Sequence, residues 1–280
     1  MAEKKEGKHF WDKKKKFSTE DEEGFKETDE GKVANKLGSA VDKKISYKIE
    51  RIPSGIDGLD NIIEGGLRKH TNVLVEGGAG CGKSIFCMQF IVNGIKKYKE
   101  NGVFISFEEQ KEEMFSAMAR FGWDLAKLEE EQKFAYLRFN PEQVGKVLSG
   151  GGGLIRDVVE KLNAKRLVID SISAFTFLFK DDLSKREAVL NLFKTIKKWG
   201  CTTLVIGQPE FAEYDSDKHP FNVLEFECDG VIRLYNMREH NLRTRTVEVF
   251  KMRATKHASK TFTLEITDKG VVIYPDSADL

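Results

Sequence analysis

The sequence has few cysteines and no long hydrophobic run, and each of these absences excludes a class of protein. Its four cysteines, Cys81, Cys87, Cys201 and Cys228, are dispersed and form no C-x-x-C pair, which predicts reduced thiols and no structural zinc site. No run of about 18 apolar residues occurs, and the Lys-rich N-terminus lacks an apolar segment, so we expect neither a membrane span nor a signal peptide. These absences predict a cytoplasmic protein.

The chain also lacks a charge excess of either sign, because 46 Lys and Arg residues stand against 45 Asp and Glu residues. This balance argues against an obligate nucleic-acid coat and favours no particular partner. Residues 1–44 combine basic and acidic runs without aliphatic periodicity, which predicts a disordered charged tail. A hydrophobic content of 40% supports a packed core. We predict one domain over residues 45–276 and a short C-terminal tail over 277–280.

A glycine-rich stretch, Gly77–Ser84, fits the pattern G-x-x-x-x-G-K-[ST] of a phosphate-binding loop. An apolar, β-branched segment precedes it and a segment with helical periodicity follows it, which is the context that the motif requires. Backbone N–H groups of such a loop turn toward a polyphosphate, and the following helix adds the positive end of its dipole. The sequence therefore predicts an ATP site with Mg²⁺, built from Gly78, Ala79, Gly80, Cys81, Gly82, Lys83 and Ser84.

Three of these loop residues have distinct expected roles. Lys83 reaches the β- and γ-phosphates, and the hydroxyl of Ser84 is a ligand of Mg²⁺. Cys81 lies at a helix N-terminus, where the helix dipole lowers the pKa of a thiol. The favoured alternative is that Cys81 is a loop residue without reactivity.

Carboxylates follow two of the predicted strands. Glu108 and Glu109 end the apolar strand that begins near Gly102, and Asp170 ends the strand that begins at Arg166. Ligands of doubly wound sheets lie beyond the carboxyl ends of the strands. We therefore predict Glu108 as the base that orients the attacking water, with Glu109 either sharing this role or stabilising the start of the next helix. Asp170 is predicted to hold the water shell of Mg²⁺.

The C-terminal third of the chain has the pattern of antiparallel strands that extend a parallel sheet. Before it, Gln208 ends a further predicted strand and is a candidate sensor of the γ-phosphate. Within it, Lys251 and Arg253 lie two residues apart, on one face of a strand, and His257 follows. The simpler interpretation of these basic residues is a solvated strand edge.

Taken in order, five motifs resemble those of the KaiC family of RecA-type ATPases over about residues 46–275. They are the Pro-Ser-Gly-Ile-Asp-Gly-Leu-Asp segment 53–60, the loop 77–84, Phe107-Glu108-Glu109, the strand 167–171 and Lys251-Met252-Arg253. The chain resembles single-domain archaeal members rather than the two-domain clock protein.

The resemblance implies an α/β, RecA-like P-loop NTPase core: a mostly parallel sheet flanked by helices, with antiparallel C-terminal strands. It also implies that Glu108 is the catalytic glutamate, that Asp170 is the Walker B acid, and that Lys251, Arg253 and His257 reach the nucleotide of a neighbouring subunit. The sequence departs from the family pattern at one place, where the kinase domain of the clock protein has an adjacent Ser-Thr pair that accepts phosphate. Glu225 and Phe226 stand there, which argues against autophosphorylation at this place.

From the motifs and the resemblance together, we expect ATP binding and slow hydrolysis between the subunits of a homo-oligomeric, hexameric ring, with output to an unknown protein partner. One alternative is a scaffold switched by ATP occupancy, similar to the archaellum motor component. Another is a recombinase-like DNA-dependent ATPase. Nucleic acid is the less favoured partner because the segment 210–222, which faces the central channel in that superfamily, is mainly acidic.

Overall fold

The structure is a computed structural model that describes residues 49–140, 143, 153–208, 223–239 and 242–276. The predicted tails 1–44 and 277–280 and the whole segment 210–222 lie outside the described residues. The strands are β1 (Arg51–Ile52), β2 (Leu67–Arg68), β3 (Asn72–Gly77), β4 (Gly102–Ser106), β5 (Phe134–Arg138), β6 (Arg166–Asp170), β7 (Thr202–Gly207), β8 (Gly230–Glu239), β9 (Leu242–Met252), β10 (Thr261–Thr267) and β11 (Gly270–Tyr274).

All of the described helices precede β8 in the chain. They are α1 (Leu59–Ile62), α2 (Lys83–Tyr98), α3 (Lys111–Ala119), α4 (Leu125–Glu130), α5 (Gly153–Leu162), α6 (Ile172–Thr176), α7 (Asp182–Lys198) and α8 (Val223–Glu227). Among the described residues, no helix is long and apolar enough to cross a membrane.

Nine of the strands form one mixed sheet in the order β11-β10-β9-β8-β3-β7-β6-β4-β5. The six strands from β8 to β5 in this order are parallel to their neighbours, whereas β9, β10 and β11 add antiparallel hairpins to the β8 side. The short strands β1 and β2 pair separately. The predicted α/β class, with a mostly parallel sheet and antiparallel C-terminal strands, is confirmed.

The central parallel strands are buried along nearly their whole length because both faces of the sheet are covered. Successive side chains of β4 alternate between two cores: Phe104 packs with residues of α2, α3 and α4, whereas Val103 and Ile105 pack with residues of α5 and α7. Such sandwiching directs the strand ends, rather than the strand faces, toward solvent. The carboxyl end of β3, where the glycine-rich loop begins, is therefore an open edge at which a ligand can bind.

Candidate nucleotide site

The predicted phosphate-binding loop connects β3 to α2, as the motif requires. Gly77 ends β3 so close to its neighbours that a Cβ atom would collide with the carbonyl oxygen of Leu234 and the Sγ of Cys81. Gly82 precedes the first helical residue with φ 101°, a conformation that favours glycine. Gly78, Ala79 and Gly80 are exposed. The loop therefore presents accessible backbone at the N-terminus of a helix of 16 residues, which is a suitable place for an anion.

Lys83 lies folded over this loop. Its Nζ donates to the carbonyl oxygens of Gly77 at 2.7 Å and Gly78 at 2.9 Å. These bonds hold the ammonium group beside the exposed loop backbone. A phosphate bound there would be within reach of a cation that is already in place.

Ser84 and Asp170 meet although 86 residues separate them in the chain. The Ser84 hydroxyl donates to Oδ2 of Asp170 at 2.9 Å, which joins the start of α2 to the carboxyl end of β6. The pKa of Asp170 is raised to about 6. Burial is the main cause, and Glu108 and Glu109 add to it, whereas the Ser84 hydrogen bond opposes the shift. A buried carboxylate beside other acids favours a nearby cation.

This pair of oxygen-bearing side chains fits Mg²⁺. Within the described part of the chain, no three His, Cys, Asp or Glu side chains converge on one point. Mg²⁺ needs no such cluster because it keeps several waters and binds through one or two protein groups together with substrate phosphates. Ser84 and Asp170 are therefore the residues that would hold it.

Glu108 is exposed beyond the end of β4, and a serine holds its side chain. The Ser171 hydroxyl donates to Oε1 of Glu108 at 2.7 Å, so the residue after the Walker B position orients the predicted base. The backbone of the same turn is fixed by Ser106, whose Oγ accepts from the N–H groups of Glu109 at 2.9 Å and Glu108 at 3.3 Å. The structure thus brings Glu108 and Asp170 to one edge of the sheet.

Glu109 has a different environment from Glu108. Its carbonyl oxygen accepts a hydrogen bond from the Tyr136 hydroxyl at 2.9 Å, and its side chain is partly buried. Burial raises the pKa of the Glu109 carboxyl, and Glu113 and Glu108 raise it further. These contacts anchor the turn between β4 and α3.

Three residues of this site had no role in the sequence analysis. Ser171 and Ser106 position Glu108, and Arg245 of β9 donates from Nε to the carbonyl oxygen of Gly80 at 3.2 Å. Ser171 follows Asp170 directly, so its place in the Walker B motif was a usable signal. Arg245 lies 165 residues from Gly80, and no local pattern indicates that the two meet.

Two further predicted residues lie at the same edge. Gln208 follows β7 directly and is exposed, and its backbone N–H donates to Ser173 Oγ at 3.3 Å. Cys81 is fully buried in the loop. Burial raises the pKa of its thiol, and this effect exceeds the lowering by Lys83. The expectation that the helix dipole lowers the pKa of the Cys81 thiol was therefore wrong, because desolvation of the thiolate dominates. This favours the alternative, a loop residue without reactivity.

The three basic residues predicted to act across an interface lie away from the loop of their own chain. Lys251 pairs with Val231 of β8, which is level with Leu74 of β3, three residues before Gly77. Because β9 ends at Met252, Arg253 lies in the following turn, so the expectation that both cations lie on one strand face was wrong. His257 is also in the loop after β9, with Nδ1 3.3 Å from the carbonyl oxygen of Ala258.

Within the chain, Lys251 and Arg253 hold the end of helix α8. The Lys251 Nζ donates to the carbonyl oxygens of Glu225, Phe226 and Cys228 at 2.7, 3.2 and 3.0 Å. The Arg253 guanidinium donates to the Phe226 carbonyl at 2.9 Å. Cations at the C-terminus of a helix stabilise its unpaired carbonyl groups.

Comparison with known proteins identifies the family of this chain. The family model described as "ATPase: KaiC" matches residues 52–278. The chain belongs to the KaiC family of ATPases. Membership of this family supports nucleotide binding by the chain, which has a RecA-like fold.

Relatives of two lengths occur in this family. A UPF0273 protein of Pyrococcus furiosus is 33% identical over 241 residues, which are 81% of this chain and 95% of that protein. The circadian clock oscillator protein KaiC of Prochlorococcus marinus is 34% identical over 243 residues, 84% of this chain but 47% of its own length. The chain thus spans about half the length of the clock proteins it matches.

A solved structure of a KaiC-like protein from Pyrococcus horikoshii is similar to this fold. The TM-score is 0.70 at 36% sequence identity, and the similarity covers 81% of this chain and 100% of the solved chain. This structure and the single-domain relatives support the predicted archaeal, single-domain type.

Proposed function

We propose that the chain binds Mg²⁺-ATP at the loop 77–84 and hydrolyses it slowly at the interfaces of a hexameric ring, passing the nucleotide state to a protein partner. The observation that supports this most strongly is the convergence of two hydrogen-bonded pairs at one sheet edge. These are Ser84 with Asp170 at 2.9 Å, and Ser171 with Glu108 at 2.7 Å.

Each group at this edge has a separate task in phosphoryl transfer. Lys83 exchanges its loop carbonyls for phosphate oxygens, and the N-terminal N–H groups of α2 stabilise the same negative charge. The bound Mg²⁺ would neutralise charge on the β- and γ-phosphates. Glu108, oriented by Ser171, accepts a hydrogen bond from the attacking water and takes its proton.

A ring interface would complete the site with cations. Electrostatic stabilisation of the transferring phosphoryl group is the main catalytic effect in this class of reaction, and a cation from a neighbour is an established way to supply it. Lys251, Arg253 and His257 are the residues that we propose for this role. Their place outside the nucleotide edge of their own chain supports a contribution to another subunit.

The test measures ATPase rate and oligomer mass together, for the native protein and for Lys83→Ala, with and without single-stranded DNA. Lys83→Ala loses a charged hydrogen-bond donor to phosphate, so we expect ATP affinity to fall about 10- to 100-fold and turnover to disappear. Lys194→Ala, at an exposed position of α7, is the matched control. Unchanged ATP affinity in Lys83→Ala would contradict the site.

The alternatives give different results in the same experiment. ATP-dependent assembly without turnover would favour the occupancy-switched scaffold. A large stimulation of turnover by DNA would favour a recombinase-like ATPase.

A further inference from the structure

Lysine side chains line two clefts at the amino ends of the parallel strands, the sheet edge opposite the loop 77–84. The first cleft, of about 460 Å³, is lined by Lys69, Lys99 and Lys165 together with His70. The second, of about 440 Å³, is lined by Lys99 and three further lysines, Lys96, Lys127 and Lys133. Because Lys99 belongs to both clefts, they form one surface, which we call the lysine edge.

The sheet order makes this surface continuous. Lys69, Lys165, Lys99 and Lys133 lie just before β3, β6, β4 and β5 respectively. These strands fall within the consecutive stretch β3-β7-β6-β4-β5 of the sheet. At 4.7–4.9 Å per strand, the five strands extend over roughly 19 Å, the length of about six residues of an extended peptide.

The lysine edge has an excess of positive charge. Lys69 pairs with Glu50 at 2.9 Å and Lys133 with Glu131 at 2.7 Å. The four remaining lysines form no ion pair with any carboxylate of the described residues: Lys96, Lys99, Lys127 and Lys165.

The carboxylates that line the clefts already have partners. Glu100 pairs at 2.7 Å with Arg166, which is fully buried. Asp124 caps helix α4 by accepting from the Lys127 backbone N–H at 3.0 Å, and Glu131 is the partner of Lys133. The ammonium groups without ion pairs are therefore available to an external anion.

Apolar side chains also line each cleft, and they bear on the chemistry of that anion. Ile52 lies in the first cleft, and Ile95 and Leu128 lie in the second, each with less than 10% of its surface exposed. Among the described lining residues there is no Phe, Tyr or Trp on which a nucleobase would stack. There is also no Arg for bidentate recognition of phosphate.

We propose that the lysine edge binds an extended, acidic segment of a partner protein that also carries apolar side chains. The carboxylates of the segment pair with the ammonium groups, and its apolar side chains cover Ile52, Ile95 and Leu128. The inference does not rest on ATP hydrolysis, because β3 and β6 separate these clefts from Lys83 and Asp170. It extends the proposed function by placing a partner at the edge that the nucleotide leaves open.

The probe is a fluorescein-labelled peptide of about eight residues with the repeat Glu-Glu-Leu-Leu, which places both residue types on each face of an extended chain. It is somewhat longer than the edge and is added to the full chain. We expect saturable binding by fluorescence anisotropy that weakens as salt rises from about 0.05 to 0.5 M. Lys99→Glu and Lys165→Glu should each weaken binding about tenfold or more, because each replaces an attraction by a repulsion. Lys194→Glu, with the same charge change outside both clefts, should bind like the native protein.

Two further arms separate this proposal from the proposed function and from a nucleic-acid surface. Lys83→Ala should bind the peptide normally while its ATP affinity falls about 10- to 100-fold, and Lys99→Glu should bind ATP normally. Equal peptide affinity in Lys99→Glu and Lys194→Glu would overturn the proposal. Binding of a thymidine oligonucleotide more tightly than the peptide, with loss in Lys99→Glu, would also overturn it in favour of nucleic acid.

Discussion

At the scale of single residues, the predicted base depends on a neighbour in space. Ser171 Oγ lies 2.7 Å from Oε1 of Glu108, whereas the nearby Glu109 is partly buried and has a raised pKa. A base must be accessible and oriented toward the water it activates. Of the two acids, Glu108 meets both conditions better.

We expect Glu108→Gln to retain ATP affinity and to slow hydrolysis by roughly 10²–10⁴-fold, the usual contribution of a positioned base. Ser171→Ala should slow hydrolysis less, because the carboxylate remains but loses its orientation. Single-turnover hydrolysis with separately measured ATP binding distinguishes these effects. A larger loss in Glu109→Gln than in Glu108→Gln would reverse the two assignments.

A second acid, Glu76, is fully buried on β3 directly before the loop. Its Oε2 lies 3.6 Å from Nε of Arg233, which also pairs with Glu225 of α8 at 2.7 Å. The pKa of Glu76 is raised from 4.5 to about 8. Burial is the main cause and Glu225 adds to it, whereas Arg233 opposes the shift. Arg233 is a single cation between the carboxylates of Glu76 and Glu225. Because it balances only one negative charge, one of the two carboxylates is favoured to bind a proton.

This proton makes stability depend on pH. Because the folded protein binds it more tightly than the unfolded chain, the stabilisation is complete below about pH 4.5 and is lost as the pH rises through about 8. In Glu76→Gln, which cannot ionise, we expect this loss to disappear. The native protein should lose up to about 1.4 kcal/mol per pH unit relative to the variant over this window.

Urea denaturation between about pH 5 and pH 8 measures the difference in the free energy of unfolding. The control is Glu112→Gln at an exposed position of α3. The same pH dependence in native protein and Glu76→Gln would mean that Glu76 is already ionised in the fold.

At the scale of elements, Arg166 joins β6, α2 and the Pro-Ser-Gly turn. Its guanidinium donates to the carbonyl oxygens of Pro53, Ser54 and Phe90 at 2.7–3.1 Å and pairs with Glu100. It also lies against Gly94 of α2, where a Cβ atom would collide with it. The Pro-Ser-Gly turn of the motif 53–60 is thus held in place by a buried charge.

We expect Arg166→Met to lower the free energy of unfolding by about 3–5 kcal/mol, because it leaves buried carbonyls and Glu100 without their partner. Arg156→Met breaks only the exposed pair with Glu160 and should cost less than about 1 kcal/mol. Chemical denaturation of both variants gives the comparison. Similar losses in the two variants would refute a special contribution of Arg166.

At the scale of the whole molecule, the sheet separates two kinds of edge. The carboxyl ends of its parallel strands carry the candidate nucleotide-binding residues, and the amino ends carry the lysine edge. Lys251 and Arg253 lie toward the amino side and hold the end of α8. For these two cations, reaching a γ-phosphate requires another subunit and the release of the α8 carbonyls.

We therefore expect Arg253→Ala to weaken nucleotide-dependent oligomerisation and turnover together, with an effect on turnover of up to about 10³-fold. Mixing Arg253→Ala with Lys83→Ala should restore part of the activity, because some interfaces then pair an intact loop with an intact neighbour. Mass photometry and ATPase assays across mixing ratios test this. The absence of rescue despite confirmed subunit exchange, or a fully active monomer, would exclude the role in trans.

The main elements of the fold were predictable from sequence periodicity, and the errors have identifiable causes. The sequence pattern predicts a helix from Glu187 to Trp199, but α7 begins at Asp182, since the carboxylate of Asp181 caps it by accepting from the Ser184 N–H at 2.9 Å. The sequence pattern also predicts a strand over 244–250, but β9 extends over 242–252 because pairing with β8 continues beyond its apolar residues. Both errors concern ends, where a cap or a pairing partner outweighs periodicity.

The sequence alone predicted the candidate phosphate-binding loop, since its glycines, Lys83 and Ser84 form one consecutive stretch between a strand and a helix. It also indicated Glu108 and Asp170, because acids at the ends of apolar strands lie at a common edge of a parallel sheet. Only the tertiary structure decided which distant groups meet: Ser171 with Glu108, Arg245 with Gly80, and the lysines at the opposite edge. Those contacts depend on strand order and register, which side-chain periodicity along one strand does not specify.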